Sequence, residues 1–273
     1  MLAILVGAAT ISACQNLSGS AGDPASAPSS ELTDCRTVQH AMGETEICGQ
    51  PQKIVAIGPV ALEASLALDI QPVGFADHFP IHRGDYDIPS QQIPYLGDQI
   101  TSPIANVGLS SSPSPEAILK LQPELILAAR LDPGQYNALS KIAPTLTLEL
   151  AESEANLVAV AQAVGLTEQA KQTLDETEQK IASTRRDFEP FVADNPKVLL
   201  LSAFDLQTMF LGNSAHGTCR SVVEEIGFQL VAPPRFDNSD ADLQVPLSIE
   251  ALPELNEADL VIMLGANFSP PEQ

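Results

Sequence analysis

The chain has 273 residues, 44% of them hydrophobic, and its 35 Asp and Glu against 13 Lys and Arg leave a net charge of −22. That length has room for two α/β lobes, each with a core of its own. The charge argues against a nucleic-acid backbone or an anionic membrane surface as partner, since both repel it, but an anionic small ligand is still possible where the few cations gather.

The first residues, MLAILVGAATISAC, are an apolar run followed by small residues, and a Ser/Ala/Pro/Gly-rich stretch comes next. This is the form of an export signal, and the run is too short to span a bilayer. Ile11-Ser12-Ala13-Cys14 resembles a bacterial lipoprotein cleavage box, in which the cysteine becomes the lipidated first residue. Residues 1–14 are therefore expected to be the lipoprotein signal, Cys14 the lipid anchor, and residues 15–34 a flexible tether. No Lys or Arg precedes the apolar run, which places the expected start upstream of Met1.

Cys35 and Cys48 flank a segment whose Met42-Gly43-Glu44 reads as a turn between two short strands. In an exported chain these two cysteines can bridge, and Cys219 is then left over, expected as a partly buried thiol at a helix start. From Lys53 the pattern becomes α/β: KIVAIG a buried strand, ALEASLAL a helix, PVGFA a strand, NVG another after a Pro-rich insertion, SPEAILKL a helix and ELILAA a strand. Strands alternating with helices imply a mostly parallel sheet covered on both faces. This first lobe is expected to span residues 35–154.

The region 155–193 is expected to link two lobes. From Thr167 its apolar positions thin to Ala170, Leu174, Ile181 and Phe188, spaced by four and seven, with Thr167 as a possible cap, a Glu176–Lys180 pair, and Pro190 as the stop. A helix from Thr167 to Phe188 is ~33 Å long, and so thin a stripe suits an exposed strut rather than a core helix. The earlier pattern then repeats: KVLLLS matches KIVAIG, SVVEEIGFQLVAP matches ASLALDIQPVGFA, and LSIEALPELNEADLVIMLG matches SPSPEAILKLQPELILAAR. Three matched units in the same order give a second, related lobe over residues 194–273. The repeat places Glu116 and Glu250 at equivalent positions, each in the first turn of a short helix.

The segments CRTVQHAMGET, PQKIVAIGPVALEASLAL, PVGFADH, SPEAILKLQPELIL and LSKIAPTL, together with the strut, resemble the class III solute-binding proteins of ABC importers, most closely the iron(III) dicitrate and ferric-siderophore type. The resemblance runs from about Cys35 to Leu264. It implies two Rossmann-like lobes joined by one long rigid helix, a ferric siderophore held in the cleft between them, and delivery to a permease dimer with its ATPase by a monomeric, lipid-anchored, periplasmic or cell-surface protein. The family continues beyond the point where this chain stops, so a shortened second lobe is expected. In the family a matched pair of glutamates docks on permease arginines, a role carried here to Glu116 and Glu250.

In open α/β sheets ligands bind beyond the carboxyl ends of the strands. Those ends and the loops after them supply His78, Arg83, Tyr86, Arg130, Arg220 and Arg235 as expected ligand contacts, cations and hydrogen-bond donors suited to a carboxylate-bearing iron complex. The carrier itself supplies the iron ligands, so neither a cofactor nor a metal-coordinating side chain is expected. A haem or cobalamin ligand, with His78 or Tyr86 as axial group, is the alternative within the same transporter class. A bare metal site would need His and carboxylate groups meeting at one point. Catalysis is not expected: neither GxGxxG, GxSxG nor HExxH occurs.

Overall fold

A computed structural model describes residues 34–78, 82–93, 95–150, 152–203, 209–211, 217–231, 245–247 and 257–265. Strands β1 (Cys35–His40) and β2 (Gly43–Cys48) form an antiparallel hairpin in which Cys35 lies opposite Cys48 and the two sulfurs are bonded. The turn falls at Ala41–Met42, earlier than expected, because Gly43 at φ 126° already begins the second strand. A two-residue connection needs backbone conformations that glycine reaches without strain. Val38 and Ile47, each 1% exposed, turn the hairpin's inner face onto the first lobe.

That lobe runs β3 (Ile54–Ile57), α1 (Pro59–Leu66), β4 (Gly74–Asp77), α2 (Pro89–Gln92), β5 (Ala105–Leu109), β6 (Ser112–Pro113), α3 (Pro115–Leu121), β7 (Leu125–Ala129), α4 (Pro133–Leu139), β8 (Thr145–Leu148) and α5 (Ser153–Val164). The sheet order is β6-β5-β4-β3-β7-β8, parallel except for β6. Successive side chains of β3 and β7 go to opposite faces. Ile54, Ala56, Leu125 and Leu127 pack with Leu62 of α1 and Val160 of α5, while Val55, Ile57, Ile126 and Ala128 pack with Ile118 of α3 and Leu139 of α4. Cover on both faces is why these strands read as unbroken apolar runs. Helix α3 starts on Ser114, whose hydroxyl accepts from the Ala117 amide, and α4 starts on an Asp132–Gln135 capping box.

Gly165, at φ 79°, ends α5, and the linking helix α6 (Thr167–Asp194) follows. Ala170 is its one buried residue, as a thin apolar stripe implies. Three local expectations fail here. Thr167 is already helical and caps nothing, Glu176 accepts from Gln172 rather than pairing with Lys180, and the helix passes through Pro190 to Asp194. Proline costs the helix one backbone bond, to the carbonyl of residue 186. Contacts on both sides of it tie this end of the helix to the second lobe: Phe191 meets Phe188 and the buried Phe228 with ring centroids 6.3 Å apart, and Arg185 donates to the Glu225 carbonyl.

The second lobe holds β9 (Lys197–Ala203), β10 (Met209–Leu211), α7 (Gly217–Ile226), β11 (Gln229–Leu230), β12 (Val245–Leu247) and β13 (Leu260–Gly265). Parallel β11 and β13 flank β9, as parallel β4 and β7 flank β3. The repeat seen in the sequence is thus a repeat of strand pairing. Strand β10 pairs antiparallel with both β9 and β12, whereas among the described residues the strands paired with β3 are both parallel to it. Helix α6 packs on α5 at the first lobe and on α7 at the second.

Candidate functional site

The carboxyl ends of β3, β4, β5 and β7 meet over a small patch. Gly58, directly after β3, has φ 89° and donates to the Ala76 carbonyl at 2.8 Å. A Cβ there would touch the Cβ atoms of Ser110 and Ala129 at 3.7 and 3.9 Å, so the loops after β5 and β7 flank it. Space would allow a side chain, but the backbone conformation favours glycine. The Ser110 amide donates to the Asp77 carbonyl at 2.7 Å, which ties the ends of β4 and β5 together.

Asp77, the last residue of β4, organises one side of the patch. It is 2% exposed, and its Oδ1 accepts from the His78 amide (2.6 Å), from His78 Nδ1 (2.7 Å) and from the Tyr95 hydroxyl (2.6 Å). Burial by itself would raise the carboxyl's pKa. The bonds from His78 and Tyr95, with the charge of His78, outweigh burial and hold it below the ordinary aspartate value. Burial and the Asp77 carboxylate push Tyr95 in the opposite direction, so it stays a neutral phenol and a donor. The His78 ring is thereby held with Nδ1 towards the carboxylate and stacks edge-on against Tyr95, centroids 5.6 Å apart. Tyr95 was not among the expected contacts. It lies in the Pro-rich insertion, where nothing in the local pattern marks it.

The other expected contacts divide. Arg130, after β7, is exposed and held at φ 57°, a left-handed conformation that is uncommon for arginine. Arg83 is exposed, but its loop is pinned to the outer edge of the sheet: Asp85 accepts from the Asn106 amide at 2.9 Å and Tyr86 pairs with Ile104. Tyr86 corrects the expectation of a ligand contact. At 2% exposure it packs against Phe75 and His82 in the core, and burial with the Asp77 charge pushes its pKa up to about 12. Arg220 lies on α7 and pairs with Glu224 one turn away, at 3.1 Å, both side chains being exposed. Arg235, Glu250 and Cys14 lie outside the described residues.

Glu116 stands exposed in the first turn of α3 and accepts from Ser114 Oγ at 3.3 Å. Cys219, in the first turn of α7, is an exposed free thiol. Among the described residues the one group of three metal-capable side chains is Cys35, Glu46 and Cys48, and its two sulfurs are bonded to each other.

Residues 86–268 match the family described as Periplasmic binding protein. The chain is 31% identical over 194 residues to the probable siderophore-binding lipoprotein YfiY of Bacillus subtilis, covering 68% of this chain and 54% of that one. It is 30% identical over 199 residues to the Fe(3+)-citrate-binding protein YfmC of the same organism, covering 72% and 58%. The matched stretch thus spans little more than half the length of these relatives. Among solved structures, Staphylococcus aureus SirA complexed with staphyloferrin B superposes with a TM-score of 0.68 at 23% identity, covering 87% of this chain and 78% of that one. This likeness establishes the two-lobed α/β fold.

Proposed function

The chain belongs to the periplasmic binding protein family, and from that premise we propose that it captures a ferric siderophore, an iron(III)-carboxylate or hydroxamate complex, between its lobes and delivers it to an ABC importer. One observation carries the choice of ligand: in a chain of charge −22, the strand-end patch presents His78, anchored by a buried carboxylate, beside Gly58 and the exposed Arg130. The patch offers the exposed guanidinium of Arg130 and, when the imidazole is charged, a second donor on the His78 ring, whose Nδ1 proton is held by Asp77. Anionic oxygen around a chelated iron suits such donors, and arginine's planar fork pairs with carboxylate in two-point fashion. The names of the relatives, which concern siderophore and ferric citrate, agree with this ligand class.

Under this reading Cys14 carries the lipid anchor, residues 15–34 are the tether, and the protein acts outside the cytoplasm as a monomer. Glu116 and Glu250 meet the permease. Glu116 fits that role by being exposed, in the first turn of α3.

Titration calorimetry with ferric citrate tests the ligand assignment. Arg130→Glu is expected to weaken binding by about 1.5–3 kcal/mol, the scale of a hydrogen bond to a charged group. Unchanged affinity in both Arg130→Glu and His78→Ala would remove the patch from the binding site.

A further inference from the structure

Nδ1 of His78 faces the Asp77 carboxylate. Oδ1 of Asp77 lies 2.7 Å from that nitrogen and also accepts from the His78 amide and the Tyr95 hydroxyl, both at 2.6 Å. Burial opposes the charge of Asp77, but three donors on one oxygen keep it ionised, and an ionised carboxylate can only accept. Nδ1 therefore carries a proton in the neutral ring as well as in the charged one, and Nε2 is the nitrogen that titrates. In the neutral ring Nε2 is bare and accepts; in the charged ring it bears a proton and donates. The two forms offer a ligand opposite things. The His78 side chain is 35% exposed and that of Asp77 3%, so the imidazole reaches solvent while the carboxylate behind it does not.

The surroundings leave this pair to itself. Tyr95, edge-on to the imidazole at 5.6 Å, is kept neutral by burial and by Asp77. Tyr86, pushed up to about 12 by burial and the Asp77 charge, is neutral too, and His82 stacks on it with centroids 5.3 Å apart. The loops after β3 and β5 bring Gly58 and Ser110, which do not titrate, and the loop after β7 brings Arg130. Among the described residues Asp77 is thus the anion placed against the ring, and a buried carboxylate behind an imidazole stabilises the imidazolium.

On the reading of this patch as the siderophore site, we propose that capture of the anionic iron complex takes up a proton at His78, the imidazolium donating from Nε2 to a ligand oxygen while Asp77 and Tyr95 act as positioning residues. An anionic oxygen only accepts, so a bare Nε2 repels it and a protonated one binds it. Ligand and proton therefore arrive together. The bound state holds more protons than the empty one, so affinity rises as the pH falls through the range in which histidine takes up charge, about 5 to 8. Arginine does not titrate in that range, so the slope belongs to His78 and not to Arg130.

The test is calorimetry of ferric citrate on the full chain and on His78→Gln between pH 8 and pH 6. The ratio of the two affinities cancels protonation of the ligand itself. It should grow in favour of the parent by at least about tenfold over this interval, the worth of one charged hydrogen bond. At pH 7, in two non-coordinating buffers of different ionisation enthalpy, the parent should take up protons on binding that His78→Gln does not. Asp77→Asn should move the rise to lower pH, since the ring loses the charge behind it; His78→Gln, at an exposed position, carries the test even where Asp77→Asn does not fold. Saturable binding with a constant affinity ratio, or with equal proton uptake in parent and His78→Gln, overturns proton-linked capture and leaves the ligand assignment standing. No binding of ferric citrate by the parent overturns both.

Discussion

In the first lobe β3 lies between parallel β4 and β7, and in the second β9 lies between β11 and β13, yet Ile126 on β7 is 0% exposed while Val261, its counterpart on β13, is 55% exposed. Met263, two residues on, is 53% exposed. The same pairing in the same order therefore does not bring the same burial. Helices α1 and α5 cover one face of the first sheet and α3 and α4 the other, whereas β13 alternates between partly buried and exposed side chains. Backbone ladders define the topology, but a parallel sheet gains most of its stability from the layers on its faces.

The matched pair gives the sharpest test. Ile126→Ala should cost about 2–5 kcal/mol, as expected for a fully buried side chain that leaves a cavity, whereas Val261→Ala should stay within about 0.5 kcal/mol, as at a surface position. Chemical denaturation of the two variants measures both. Equal costs would mean that the lobes are buried alike.

Next in size is the bridge that closes the hairpin by joining β1 to β2. Removing it with Cys35→Ser and Cys48→Ser together should cost about 3 kcal/mol through the freedom regained by the unfolded loop. The folded hairpin also anchors α5, since Arg36 donates to the carbonyls of Gln162 and Ala163 at that helix's end. Alkylation without reductant, read by mass spectrometry, should label Cys219 and neither hairpin cysteine. Label at Cys35 or Cys48 contradicts the bridge.

A smaller effect separates two buried hydroxyls. Ser65 in α1 donates to the Ala61 carbonyl at 2.8 Å, but Ser202 near the end of β9 is 7% exposed and, among the described residues, its Oγ has no partner. An unpaired buried polar group costs about 1–3 kcal/mol. Ser202→Ala should therefore raise the melting temperature while Ser65→Ala leaves it level or lower. If Ser202→Ala lowers it, the hydroxyl has a partner after all.

The smallest expected effect is a pH slope confined to the hairpin. The Met42 amide donates to His40 Nδ1 at 3.2 Å, which leaves Nε2 as the protonated nitrogen facing Thr45 Oγ1 at 2.9 Å. Burial lowers the His40 pKa in the folded protein. The unfolded chain then takes up the proton first, at a pH near ~6.5. The His40 contribution is therefore complete above that pH and is lost as the pH falls towards the folded value. His40→Gln should flatten this part of the stability profile, and a parent protein that becomes more stable between pH 7 and pH 5 relative to His40→Gln would contradict it.

Much of the architecture was legible because it is local or periodic. The buried strands IVAI, GFAD and LILAA, the helix at SPEAILKL, the hairpin closed by Cys35 and Cys48, the long helix with its thin stripe and the repeat of three units all follow from the spacing of apolar residues along the chain. The site was legible only in part: His78 and Arg130 lie at strand ends, where topology places them, but Asp77 and Tyr95 are 18 positions apart and meet only because the Pro-rich insertion folds back. Tertiary packing likewise decided that Tyr86 goes inward rather than to a ligand and that Arg220 pairs with Glu224. Pro190 makes the division plainest. Read alone it ends a helix, because it lacks an amide hydrogen; with Phe191 packed on Phe228, 37 residues further along, the chain stays helical through it. Local chemistry sets what each segment prefers, and contacts between distant segments choose among those preferences, because covering a ring such as that of Phe228, 8% exposed, is worth about as much as the backbone bond forgone.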